Sequence, residues 1–192
     1  MSLFFHQSTV IALALLQAST AVPQTLDAKT DRDAYAIYAT LLQSPRDTDG
    51  RVKKPILLQR ETEGPSPTTC SGFLAGMSGE WVEVANSFRR ENSRVRLLQA
   101  GVPIGVEYHL VSREEILARD ALLAAQSPGM TNGVRPGSHE YVAVSAIGFN
   151  AARTKALVYV RSRISSHSDG IVMKELKDGQ WVTGPYSCVG VA

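Results

Sequence analysis

The chain has 192 residues, 44% hydrophobic and 20% charged, with a net charge of +2 at pH 7. That is one domain's length with an ordinary globular composition, well away from the disordered regime. So small a surplus of charge argues against a nucleic-acid partner and against electrostatic attachment to acidic membranes. The densest basic stretch, Arg89, Arg90, Arg94 and Arg96, is interleaved with Glu91 and Asn92 and reads as a solvated helix face.

Residues 1–21 contain no Lys, Arg, Asp or Glu. The apolar run Val10 to Leu16 is followed by Gln17-Ala18-Ser19-Thr20-Ala21, and the small residues Ser19 and Ala21 fit a signal-peptidase site with cleavage after Ala21. The basic segment that usually precedes such a run is missing; only His6 stands there. The alternatives are a short buried helix or an uncleaved anchor, but the run falls well short of the ~20 residues that span a bilayer. Export to a secreted or periplasmic location is therefore expected, with no membrane span once the signal is removed. No cysteine near the cleavage site suggests a lipid anchor.

Residues 22–30 read as a flexible polar leader, and 31–192 as a single α+β domain. Asp31 offers an N-cap for a helix over 32–43, with Ala34, Tyr35, Ile37, Tyr38, Leu41 and Leu42 at helical spacing and Ser44-Pro45 as its stop. The charged segment Arg46 to Lys54 turns at Asp49-Gly50. A strand follows over Pro55 to Thr62, then a loop from Gly64 to Gly79 rich in turn formers. Ser78 reads as the cap of a second helix over about 80–92, with Glu80 in its first turn and an apolar stripe of Trp81, Val84, Ala85 and Phe88. Residues 95–111 are too broken by Gly and Pro for a helix and read as an extended passage with one strand. Ser112-Arg113-Glu114-Glu115 is a capping box, flanked by Val111 and Ile116 as a hydrophobic staple, and opens a third helix reaching about Ala125. Ser127 to Ser138 is a second loop.

The C-terminal stretch is the most patterned. Tyr141 to Phe149 reads as a strand and Asn150 to Thr154 as its turn. A second strand places Ala156, Val158 and Val160 on one side and Leu157, Tyr159, Arg161 and Arg163 on the other, half-exposed toward its end. A loop, Ser165 to Gly170, leads to a strand over Ile171 to Leu176. Asp178-Gly179 centres a two-residue hairpin, and Trp181-Val182 opens a last strand, short or broken at Gly184-Pro185. The expected fold is thus α+β: a C-terminal antiparallel meander of about four to five strands in one sheet, covered by about three helices from the N-terminal half.

Cys70 and Cys188 are the two cysteines. In an exported chain they are candidate disulfide partners, and closing so long a loop would contribute roughly 4–5 kcal/mol in the chain-entropy model. A buried free Cys188 is the alternative, and sequence alone does not choose between them.

No catalytic or metal-binding signature stands out. Ser165, Ser166, His167, Ser168 and Asp169 supply nucleophile, base and acid types in one loop, but neighbouring side chains diverge, whereas relays assemble from separate elements. No GxSxG elbow, phosphate loop or zinc spacing occurs. His109 and His139 lie thirty residues apart, and Asp47-Thr48-Asp49-Gly50 lacks the closing Glu of a calcium loop. Glu115 is explained by the capping box, and Trp81 and Phe88 by core spacing. No cofactor is expected.

Gly148-Phe149-Asn150, then Ala156-Leu157-Val158-Tyr159-Val160, then Leu176-Lys177-Asp178-Gly179-Gln180-Trp181-Val182, resembles a group of uncharacterised exported bacterial proteins. Arg60-Glu61-Thr62, Phe88-Arg89-Arg90-Glu91-Asn92 and Leu110-Val111-Ser112-Arg113-Glu114-Glu115 fit in the same order, so the likeness spans most of the mature chain. Its relatives tend to carry a Cys- and Gly-rich loop where this chain has Ser165 to Asp169. The resemblance implies export and domain extent, and no mechanism. Two functions remain in view: a non-enzymatic exported binding or accessory module with an extracytoplasmic partner, and a weakly marked hydrolase-like enzyme with a site near Arg161, Arg163 and His167.

Overall fold

The computed structural model describes residues 23–29, 31–42, 55–65, 70–126, 141–163 and 168–191. The expected signal segment, the expected turn at Asp49-Gly50, the expected loop over 127–138, His139 and His167 lie outside them. The described elements, in order, are β1 (Gln24–Leu26), α1 (Arg32–Leu41), β2 (Ile56–Gln59), α2 (Ser71–Ala75), α3 (Glu80–Glu91), β3 (Arg96–Leu98), β4 (Tyr108–Val111), α4 (Arg113–Gln126), β5 (Tyr141–Val144), β6 (Gly148–Phe149), β7 (Lys155–Ser162), β8 (Ser168–Lys177) and β9 (Gln180–Val191). This is the expected α+β fold, with helices packed on a sheet that ends in an antiparallel meander.

The sheet is larger than the meander and mixed. Its strands run β4-β2-β5-β7-β8-β9, with β6 paired to β7. β4 and β5 flank β2 in parallel, while β5, β7, β8 and β9 alternate in direction. The passage over 95–111 holds two strands rather than one, because β3 pairs in parallel with β1 in a separate small sheet. β1 itself lies in the stretch read as a leader, with Leu26 buried. The Tyr35 hydroxyl fastens it by donating to the Leu26 carbonyl at 2.9 Å and accepting the Gln99 N–H at 2.8 Å.

The strand expected over Tyr141 to Phe149 is in two pieces. At Ser145 the side-chain oxygen accepts the Tyr159 N–H at 2.8 Å, so the Ser145 carbonyl leaves the ladder and takes the Tyr38 hydroxyl at 2.8 Å. Pairing with β7 resumes at Gly148.

Both faces of the sheet are covered. Ala156 and Val158 pack with Tyr38, Val144 and Trp181 on the α1 side, and Leu157 and Tyr159 with Val84, Phe88 and Ile171 on the α3 side. The alternation along β7 is as read, but Leu157 and Tyr159 are fully buried, and the half-exposed character begins only at Arg161. α3 reaches the sheet at a glycine: a Cβ on Gly148 would stand 2.3 Å from the Phe88 nitrogen. α4 closes a third cluster of Val111, Ile116, Tyr141 and Ala143.

The capping box forms, with Glu115 N–H on Ser112 Oγ at 3.1 Å and Ser112 N–H on the Glu115 carboxylate at 2.6 Å. These bonds hold the Glu115 carboxyl below its usual range. Two other caps differ from expectation. Gly79, not Ser78, precedes α3, at φ 57, where a glycine is favoured, and no side chain caps it. The Asp31 carboxylate at the head of α1 accepts the Asp27 N–H at 3.0 Å instead of an amide of the helix. The loop over Gly64 to Gly79 contains the short helix α2, fixed by a disulfide between Cys70 and Cys188 with Cα atoms 5.8 Å apart. β9 runs unbroken past Gly184-Pro185, because a register shift between Val172 and Lys174 absorbs the irregularity on an edge strand, where proline's missing N–H is tolerated. The β8–β9 hairpin turns at Asp178 and Gly179, with φ of 50° and 75°, the positive values a primed turn requires.

Candidate functional site

The site is built on the break in the strand. Over residues 146–151 the ladder is interrupted, with only Gly148 and Phe149 pairing with β7, so several backbone groups need partners elsewhere. α3 and the residue just after it supply them. The Glu83 carboxylate accepts the Ala151 N–H at 3.0 Å, the Ser87 hydroxyl accepts the Phe149 N–H at 3.3 Å, and the Asn92 amide takes both groups of Ala146 at 3.0 and 2.9 Å. On the other side, Arg153 bonds Asp33 of α1 at 2.6 Å and lies over the Phe149 ring at 4.1 Å.

Between these two attachments lies a groove of about 910 Å³. Its floor is Ala146 to Ala151, and its walls are the outward side of α3 and the start of α1. Leu26, Val82, Ile147 and Phe149 give it apolar surface, and three guanidinium groups (Arg90, Arg96, Arg153) face three carboxylates (Asp31, Glu83, Glu91). Near the C-terminal end of α3, Arg90 and Arg96 both lean on Glu91, Arg90 Nε at 3.6 Å from one oxygen and Arg96 in close contact with the other. Arg96 Nε is buried without a hydrogen-bond partner.

Reading Arg89 to Arg96 as one solvated helix face is therefore corrected for Arg96. It sits on β3 with a side chain only 12% exposed, because pairing with β1 folds the strand back beneath the end of α3. Arg90, at 69%, does remain at the surface.

The residues of the enzymatic alternative are placed elsewhere. Arg161 pairs closely with Glu63 and also reaches the Tyr159 hydroxyl at 3.4 Å, which in turn donates to Asp169 at 2.9 Å. Burial, with Asp169 adding to it, pushes the Tyr159 phenol up to about 12. Arg163 contributes its backbone N–H to the Tyr141 carbonyl at 2.9 Å. Neither arginine lines the groove or the two smaller hollows described next, so the structure gathers Arg161 into an internal polar cluster.

One hollow, about 440 Å³ over residues 100–110, includes exposed His109. The other, about 310 Å³, is an apolar cup of Phe73, Met77, Trp81, Met173 and Tyr186 beside the disulfide. Phe88 is core, as its spacing indicated, while Trp81 also faces this cup, with Lys155 Nζ 5.5 Å from its ring. Among the described residues no group of three His, Cys, Asp or Glu side chains converges to hold a metal ion, and no helix is long and apolar enough to cross a membrane. Compared with family models, with curated proteins and with solved structures, the chain finds no match.

Proposed function

We propose that this chain is an exported, non-enzymatic binding protein whose ligand occupies the groove between α1 and α3. The observation that carries this reading is the way the floor is held. Glu83, Ser87 and Asn92 fix it from one wall and Arg153 from the other, so the cleft is formed in advance and a ligand need not order it. Its apolar patches and a few convergent charged groups are what small-ligand sites are made of. Export is supported by the disulfide, which persists in oxidising compartments, by the apolar run at Val10 to Leu16, and by the resemblance to exported bacterial proteins.

The hydrolase-like alternative near Arg161, Arg163 and His167 ranks below it, since the Arg161 guanidinium is already engaged by Glu63 and Tyr159.

The test is to purify the protein from the extracytoplasmic fraction and identify co-purifying molecules by mass spectrometry, beside a Val82→Trp variant. Val82 is 44% exposed on the groove wall, so the larger ring narrows the cleft without entering the core. A mature chain beginning at Val22 and a molecule retained by the wild type but lost from Val82→Trp are expected. A chain still beginning at Met1 would contradict export, and identical retention by both proteins would contradict the groove.

A further inference from the structure

We infer that the ligand of this groove is an organic carboxylate with an apolar body, its carboxylate held by Arg90 and Arg96; this rests on the groove being the binding site. Summed over the lining, positive and negative side chains balance, but they are not evenly placed. The Glu83 carboxylate is occupied by the Ala151 N–H and the Asp31 carboxylate by the Asp27 N–H, while Arg153 is paired with Asp33 outside the lining. At the other end two guanidinium groups share the single carboxylate of Glu91. Arg90 spends one further amino group on Ser87 Oγ at 3.2 Å, and Arg96 leaves its Nε without a partner.

A guanidinium presents five donors in a rigid fork matched to a carboxylate. Two of them converging on one Glu set two positive charges beside one negative at this end of the cleft, and the exposed Arg90 offers a donor that a second carboxylate would take. Arg96, 12% exposed, is the fixed member of the pair, and the exposed Arg90 can close over what binds. Leu26, Val82, Ile147 and Phe149 then give the rest of the ligand an apolar bed. Two sources share this chemistry, a peptide C-terminus and a free fatty acid.

Ligand-observed NMR and calorimetry with five probes test it: N-acetyl-leucine, N-acetyl-leucinamide, hexanoate, hexylamine and inorganic phosphate. N-acetyl-leucine, hexanoate or both should bind, the first marking a peptide C-terminus and the second a fatty acid. The amide should bind about 10- to 100-fold more weakly, as should the acid to Arg90→Gln, which removes a charge-assisted contact. Val82→Trp should abolish binding. Arg96→Met disturbs a mostly buried pair, so Arg90→Gln, at an exposed site, keeps the test valid if Arg96→Met fails to fold. If the amide, hexylamine or phosphate binds as well as the acids, and Val82→Trp removes that binding, the carboxylate assignment is overturned while the groove survives. If no probe binds at millimolar concentration, or binding is indifferent to Val82→Trp, the assignment is overturned, and in the second case the groove with it.

Discussion

The hydroxyl of Tyr38, on α1, donates to the carbonyl of Ser145 at 2.8 Å, 107 residues away in sequence. Both residues are buried, and burial pushes the Tyr38 phenol far above its ordinary value. The bond satisfies a carbonyl that the strand break removes from the β5–β7 ladder, and so ties α1 to the floor of the groove. Tyr38→Phe would leave that carbonyl unpaired in the core, at a cost of about 1–3 kcal/mol. Chemical denaturation should show a lower midpoint with an unchanged slope; an unchanged midpoint would remove the bond from the account.

Gly148→Ala should be far more damaging. The new methyl would meet the Phe88 backbone nitrogen at 2.3 Å and Cα at 2.4 Å, and neither the backbone of α3 nor the buried β6, bonded to β7, yields easily. A loss of at least about 3 kcal/mol, or failure to accumulate folded, is expected. Gly72→Ala is the control: nothing lies within 4 Å of its added Cβ, and in α2 it should be neutral or stabilise by up to about 1 kcal/mol. Equal behaviour of the two variants in thermal melts would contradict the packing of α3 on β6.

Lys174 is buried in β8, with Thr183 Oγ1 at 3.2 Å as its hydrogen-bond partner and no carboxylate in ion-pair reach among the described residues. Burial lowers its pKa from the ordinary 10.5. Between the lowered folded value and 10.5 the unfolded chain binds more protons, so this group makes stability rise with pH across that window. Lys174→Met should raise stability by about 1 kcal/mol or more near neutral pH, since a buried unpaired charge is replaced by a chain of similar volume. A destabilised variant would mean that the Thr183 bond outweighs desolvation.

Tyr159 acts in the opposite sense. Its phenol titrates at 10.0 when unfolded and is pushed up to about 12 in the fold, so here the folded state keeps its proton longer. The stability it contributes is complete below pH 10 and disappears as pH rises to 12. Tyr159→Phe should flatten the fall in stability over that window, measured by urea unfolding at several alkaline pH values. A slope equal to that of the wild type would place the alkaline loss at another group.

Where one short stretch decides the structure, the sequence was readable. Ser112 to Glu115 has its capping box and Asp178-Gly179 its turn, each set by neighbours within four residues. The parallel addition of β2 and β4 was not, because register between strands about fifty residues apart depends on which apolar faces meet in the whole fold. α2 was hidden in a loop-like composition, since its position is fixed by Cys70 meeting Cys188 and not by helix propensity. The groove was hidden for the same kind of reason. Arg96 looks like its neighbours Arg89 and Arg94 in the chain, and only pairing of β3 with β1 turns it inward. The polar residues that form the cleft, Glu83, Ser87 and Asn92, resemble any solvated helix side until the 146–151 segment lies against them. The Ser145 break was the missing clue, and a serine in an apolar run was its one trace.

The central claim is that ligand binds between α1 and α3. The direct measurement is titration of isotopically labelled mature protein with a small-molecule extract of the extracytoplasmic fraction, followed by amide chemical shifts. Shifts at Val82, Asn86, Ile147 and Ala151, absent in Val82→Trp, are the predicted result. Shifts confined to the cup at Phe73, Trp81 and Tyr186, or to the cluster of Glu63, Tyr159 and Arg161, would contradict it.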